Sequence, residues 1–68
     1  MSAGDDAVRK EHRELHPTER AAMSAVKDLG ATLIDLCDTL GTSRELSIAK
    51  TKAEEAVMWA VKHITGPR

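Results

Sequence analysis

The chain has 68 residues, with ten basic side chains against eleven acidic ones for a net charge of −1, three histidines and a single cysteine, Cys37. A domain this short buries only about 60% of the surface its unfolded form exposes, so it ordinarily needs a staple or a partner. One cysteine builds no disulfide framework, one Cys with three His closes no structural zinc pattern, and the near-neutral charge excludes a general DNA or RNA binder held by a broad basic face.

Partner chains are left as the staple. Apolar residues make up 41% of the sequence, yet Trp59 is the only aromatic. The rest are Ala, Leu, Val, Ile and Met, a set suited to close helix packing rather than to a sheet. No signal-peptide core and no apolar run near the roughly 20 residues of a membrane span is present, and a lone reduced cysteine agrees with a cytosolic chain without membrane partners.

Residues 1–16 form a polar N-terminal segment. Within it Asp5 to Leu15 is charge-dense and reads as a short helix, with Asp5 and Asp6 at its positive end. His16 and Pro17 break that run, since the residue before a proline avoids the α region and proline suits a first helical turn. Residues 17–68 are read as a helical-hairpin domain for oligomerisation and ligand binding.

The first long helix is predicted from Pro17 to Leu40. Ala22, Val26, Leu29, Leu33, Leu36 and Leu40 recur at alternating spacings of four and three, a heptad seam. Met23, Ile34 and Cys37 flank it as a second stripe, so the apolar arc is wider than one partner helix covers. Gly30 inside this helix costs up to about 1 kcal/mol, which is best tolerated where another backbone crosses closely.

Gly41 suits the left-handed position after a helix, and Thr42 with Glu45 three residues on reads as a capping box opening the last helix. That helix runs to about Thr65, where Gly66-Pro67 stops it. Leu46, Ala49, Ala53, Ala56, Val57, Ala60, Val61 and Ile64 make its packed face, while Ile48 and Trp59 lie on another side with Lys52 between them. A turn of one or two residues forces the two helices antiparallel. Each then keeps an apolar stripe that a lone hairpin cannot cover, and oligomerisation follows. The fold class is therefore all-α: an antiparallel two-helix hairpin with a short N-terminal helix, assembling into a compact homo-oligomeric bundle.

The catalytic inventory is poor. His12 and His16 stand four apart, a spacing that holds metals, but no third ligand is near and they read as surface histidines. Glu54-Glu55 resembles part of the acidic motif of all-helical nucleotide pyrophosphatases, without the further carboxylates that hold magnesium. Cys37 reads as a small core residue rather than a nucleophile. Neither an enzyme nor a cofactor site is predicted. The start of the last helix says more. Ser43, Arg44, Ser47 and Thr51, with Thr42, set hydroxyls and a guanidinium around a helix N-terminus, where phosphates are favoured; the same residues also make an ordinary helix cap.

The run SRELSIAKTKAEEAVMWAVKHIT, Ser43 to Thr65, resembles the helical hairpin of two phage anti-defence families, the second anti-CBASS protein and the C-terminal part of the Thoeris anti-defence sponges. Their pattern there is roughly S-R-E-x-S-x-A-x-T-x-x-E-E-A-x-M-W-A-x-K-x-I-T. His16-Pro17-Thr18-Glu19 and Lys27-Asp28-Leu29-Gly30 extend the likeness upstream. It implies a non-catalytic binder, acting in the host cytoplasm, that sequesters cyclic oligonucleotide alarm signals. It further implies an interlocked homohexamer with separate pockets for cyclic dinucleotides and cyclic trinucleotides. In that frame Arg44, with Ser43, Ser47 and Thr51, is expected on ligand phosphate, and Lys27 in the second pocket. The resemblance implies that the anti-CBASS members stack an aromatic on a dinucleotide base near the His-x-Pro region; this chain has no Tyr or Phe, so its dinucleotide pocket is expected to be altered, lost, or served instead by stacking of His16 or Arg13. The extra N-terminal domain of the larger Thoeris-type proteins has no room in 68 residues, so ligands of the cyclic ADP-ribose type are not expected. Trp59, within the M-W-A block, is read as core, with a stacking platform for a base as the alternative. The alternative to a sponge is a homo-oligomeric helical adaptor whose exposed stripe binds a protein; a remnant of a nucleotide pyrophosphatase ranks third.

Overall fold

A computed structural model describes residues 14–67. Two helices, α1 (Pro17–Leu40) and α2 (Arg44–Thr65), run antiparallel and pack on each other as a hairpin. At 1.5 Å per residue they are about 36 and 33 Å long. No strand occurs among the described residues. Residues 5–13 of the expected N-terminal helix lie outside the described residues, and residues 14–16 are not helical.

Local chemistry sets each boundary. Pro17 opens α1, with extended His16 as its N-cap, and the His16 N–H donates to Glu19 Oε1 at 3.0 Å. The connection between the helices is residues 41–43, one residue longer than the longest turn expected. Gly41 has φ 129° and ψ −150°, a conformation open essentially to glycine alone and more extended than the left-handed one expected. The cap of α2 also differs from expectation. Ser43, not Thr42, is the N-cap, and its Oγ accepts from the Leu46 N–H at 3.0 Å. With the cap moved one residue on, Glu45 sits at the second helical position rather than the third, so the capping box with Thr42 does not form.

The interface between the helices is built from the second stripe of α1, not from its leucine seam. Gly30 and Cys37 are buried and Met23, Val26 and Ile34 half-buried. Across from them lie buried Ala53 and Ile64, with Leu46, Val57, Ala60 and Val61 half-buried. Gly30 accepts Val57 as a knob: a methyl added at Gly30 would overlap Val57 Cγ2. The neighbour at this glycine is thus a side chain, not the closely crossing backbone expected. Near the turn, Lys50 Nζ meets Asp38 Oδ1 at 2.8 Å and ties the helices together.

The core is very small. Cys37, Ala53 and Ile64 are the only buried hydrophobic side chains among the described residues. Leu29 and Leu40 are 70% and 67% exposed, and Leu33, Leu36, Ile48 and Met58 are also uncovered. Trp59, expected as core, is 58% exposed, with Lys62 Nζ 5.4 Å from its ring centroid. One antiparallel neighbour covers an arc of each helix centred on Gly30 and Ala53, and these residues point elsewhere.

Candidate functional site

Arg44, Ser47, Ile48, Thr51 and Lys52 line one shallow groove. The spacings of three, four, seven and eight from Arg44 place all five along one face of about the first two and a half turns of α2. Arg44 is nine residues from buried Ala53, half a revolution round the helix at 100° per residue, so the groove lies on the outer side, turned away from α1. All of its walls come from α2.

The electrostatics favour an anion. The groove joins a guanidinium, an ammonium and two hydroxyls close to the positive end of a helix. Arg44 enters no ion pair among the described residues, and Lys52 makes a long, exposed contact of 3.7 Å with Glu55. The Thr51 hydroxyl donates to the Ser47 carbonyl at 3.1 Å, leaving its oxygen lone pairs outward; the Ser47 hydroxyl is the freer donor. Ile48 supplies an apolar floor. Arg44 offers the planar fork that pairs with two phosphate oxygens at once.

Of the residues expected at this end, the fold therefore brings together Arg44, Ser47 and Thr51. Ser43 is adjacent, but its hydroxyl oxygen is engaged as the cap of α2. Ile48 and Lys52 were missed as groove residues, although their spacings of four and eight from Arg44 carried the signal. Lys27 lies elsewhere, in a second groove with Gly30, Ala31, Ile34, Glu54 and Val57 between the helices. Glu54 beside it makes that groove less favourable to anions than the Arg44 groove. His16 stands eleven residues before Lys27, about 16 Å along α1, so the hairpin does not bring the two together. Arg13 and His12 lie outside the described residues. A third groove, wholly apolar, runs between Val26, Leu29 and Leu33 of α1 and Ala53, Ala56 and Ala60 of α2, with Gly30 and Val57 at its base.

No helix among the described residues is long and apolar enough to cross a membrane, and they contain no cluster of three or more His, Cys, Asp or Glu side chains placed to hold a metal ion. A minimal core, uncovered apolar stripes and a groove made by one helix define a small helical-hairpin module. A family model described as Acb2/Tad1, hairpin domain, matches residues 4–65, nearly the whole chain, and the chain belongs to that family, the anti-CBASS and anti-Thoeris sponge family its sequence resembles. Comparison with curated proteins and with solved structures gives no match.

Proposed function

We propose that this protein is a non-catalytic sponge that binds and sequesters cyclic oligonucleotide immune messengers in the host cytoplasm, and so antagonises anti-phage signalling. The observation that carries the reading is the Arg44–Ser47–Thr51–Lys52 groove in a chain of this family. A guanidinium, an ammonium and hydroxyls are the donors that phosphodiesters take, and Ile48 suits the flat apolar faces of bases or riboses.

A groove with one wall is half a pocket. Closing it takes a second surface, and copies of the chain are the natural source. A cyclic trinucleotide presents three equivalent phosphates, each of which one Arg44 and one or two hydroxyls can serve; a dinucleotide suits a twofold arrangement in the same way. This supports a homo-oligomer, a hexamer in our reading, with Lys27 in a separate pocket for the dinucleotide class, alongside His16 and Arg13 of a neighbouring copy.

Calorimetric titration with a panel of cyclic di- and trinucleotides tests this. Each charge-assisted hydrogen bond is worth about 1.5–3 kcal/mol, so Arg44→Ala should weaken trinucleotide binding by about ten- to a hundredfold with the assembly unchanged. Lys27→Glu should selectively remove dinucleotide binding, and the ligand recovered after denaturing the protein should be intact. Unchanged affinity in Arg44→Ala makes Arg44 a surface residue of the capping turn. The adaptor reading rests on the open leucine seam, and is favoured if no cyclic oligonucleotide binds at all.

A further inference from the structure

Two side chains of opposite charge, Lys27 and Glu54, face one small groove between the helices. Its other walls are apolar: Gly30, Ala31 and Ile34 of α1 and Val57 of α2. We propose that Glu54 reads a nucleobase in this groove, its carboxylate accepting both hydrogens from the pairing edge of a guanine, so that the groove selects guanine-containing cyclic dinucleotides. The inference rests on the reading of the Lys27 groove as a dinucleotide pocket, and adds the base that this pocket prefers.

The first observation is that neither charge consumes the other. Lys27 and Glu54 are both exposed, and neither enters an ion pair among the described residues although they line one groove. Lys50, one turn before Glu54, feels its charge, but the Lys50 ammonium is bonded to Asp38 at 2.8 Å. The groove therefore presents an ammonium suited to a phosphate and a carboxylate suited to hydrogen-bond donors.

The second is the mismatch between a carboxylate and a pocket for phosphate alone. The Arg44 groove has two cations and no carboxylate, which is how a site that only grips phosphodiesters is built. In the Lys27 groove Glu54 would repel such a ligand unless it met donors, because an ionised carboxylate only accepts. A nucleotide carries its donors on the sugar and on the base edge. Guanine sets two N–H groups side by side, matched to the two oxygens of one carboxylate. Adenine and cytosine place one amino group beside a ring acceptor, and uracil places one N–H between two carbonyls. A bidentate, charge-assisted contact of this kind discriminates against the wrong base.

The third is that none of the residues lining the groove is aromatic, and the chain's one aromatic, Trp59, is not among them. Stacking on a ring tolerates every base, since each has a π-face. A base lying against Ile34 and Val57 instead takes its orientation from its edge, where Glu54 stands.

Calorimetric titration of the full chain with cyclic di-guanylate, cyclic di-adenylate and cyclic tri-adenylate tests this. The wild type should bind cyclic di-guanylate at least about tenfold more tightly than cyclic di-adenylate, the effect of one charge-assisted hydrogen bond gained or lost. Glu54→Gln keeps the size and helix propensity of an exposed side chain but turns one acceptor into a donor. It should shrink that preference by about tenfold or more. Losing the negative charge favours every phosphate alike, so the ratio of the two affinities is the readout. Glu55→Gln, which does not line the groove, should keep the wild-type ratio, and cyclic tri-adenylate should bind Glu54→Gln as it binds the wild type. Equal affinity for the two dinucleotides in the wild type, or a ratio unmoved in Glu54→Gln, overturns the inference. So does an equal loss of both dinucleotides in Glu54→Gln, which would put the carboxylate on a ribose hydroxyl. A chain that binds both dinucleotides without preference refutes base reading alone and leaves the sponge standing, whereas a chain that binds no cyclic oligonucleotide refutes both.

Discussion

Replacing Gly30 with alanine sets two effects of opposite sign against each other. In the interior of a helix, alanine is better than glycine by about 1 kcal/mol, and on α1 alone the change would stabilise. Against this, the new methyl would overlap Cγ2 of Val57, with Val57 Cβ 3.7 Å away. Val57 is β-branched and within a helix keeps essentially one rotamer, so it has no inexpensive way to turn aside. Overpacking of this kind costs about 1–3 kcal/mol, and the net expectation is destabilisation by up to about 2 kcal/mol. At the 4–8 °C per kcal/mol usual for a domain of this size, Tm should fall by several degrees. The assay is thermal or urea unfolding followed by circular dichroism at one fixed protein concentration, because the proposed association would make apparent stability depend on concentration. Removing the obstacle should reverse the sign: in a Val57→Ala background, Gly30→Ala should be neutral or stabilising, a coupling of at least about 1 kcal/mol between the two sites. If Gly30→Ala alone raises stability by the full propensity gain, the helices do not meet at Gly30, and the close crossing that fixes the hairpin is wrong.

Two further substitutions check the ends of the hairpin. Ser43→Ala should cost about 1 kcal/mol through loss of the hydroxyl that accepts from the Leu46 N–H, whereas Thr42→Ala should change little, as thermal unfolding of the pair will show; the reverse ranking would restore the cap to Thr42. The hydrogen bond and charge of Asp38 raise the pKa of Lys50 above its ordinary 10.5. A raised lysine contributes stability that is fully present below its unfolded value and is lost as pH climbs through the folded one. The stability gap between wild type and Asp38→Asn should therefore hold near neutrality, narrow above about pH 10.5, and shrink with salt at any pH, since both partners are exposed.

Both long helices could be read from the sequence because their punctuation is strong: Pro17 at one start, Gly41 between them and Gly66-Pro67 at the end. The position of the second cap was less legible. Thr42 and Ser43 are adjacent residues able to do the same job, and only the backbone decides which hydroxyl faces the free amides. Which stripe of α1 meets α2 was not legible either. A leucine seam and a stripe of Met23, Gly30, Ile34 and Cys37 are both apolar, and periodicity does not say which neighbour each will find. The glycine held the answer, since a close crossing needs a position without a side chain. For the site, spacing placed Arg44, Ser47 and Thr51 together because they share one helix. It could not place Lys27 in one groove with Glu54, since only the packing of α1 on α2 brings them to the same place.

The exposed residues give the hairpin a definite energetic problem. Burying one leucine fully is worth about 1.5–3 kcal/mol, and the exposed fractions of Leu29, Leu33, Leu36 and Leu40 amount to rather more than two whole leucines. Covering them would contribute about 4–7 kcal/mol per copy, comparable with the entire stability of a small domain. Inside the hairpin only Cys37, Ala53 and Ile64 are buried hydrophobic side chains among the described residues, so the seam leucines hold much of the available burial energy outside the fold of one chain. In the proposed assembly, stability and association would draw on the same residues. If a neighbouring copy closes the Arg44 groove, as proposed, assembly and ligand binding are linked, because a helix N-terminus that makes only one wall of a pocket would take the others from that copy. A variant that weakens the leucine seam should accordingly lose ligand affinity and thermal stability together, whereas Arg44→Ala should lose affinity alone.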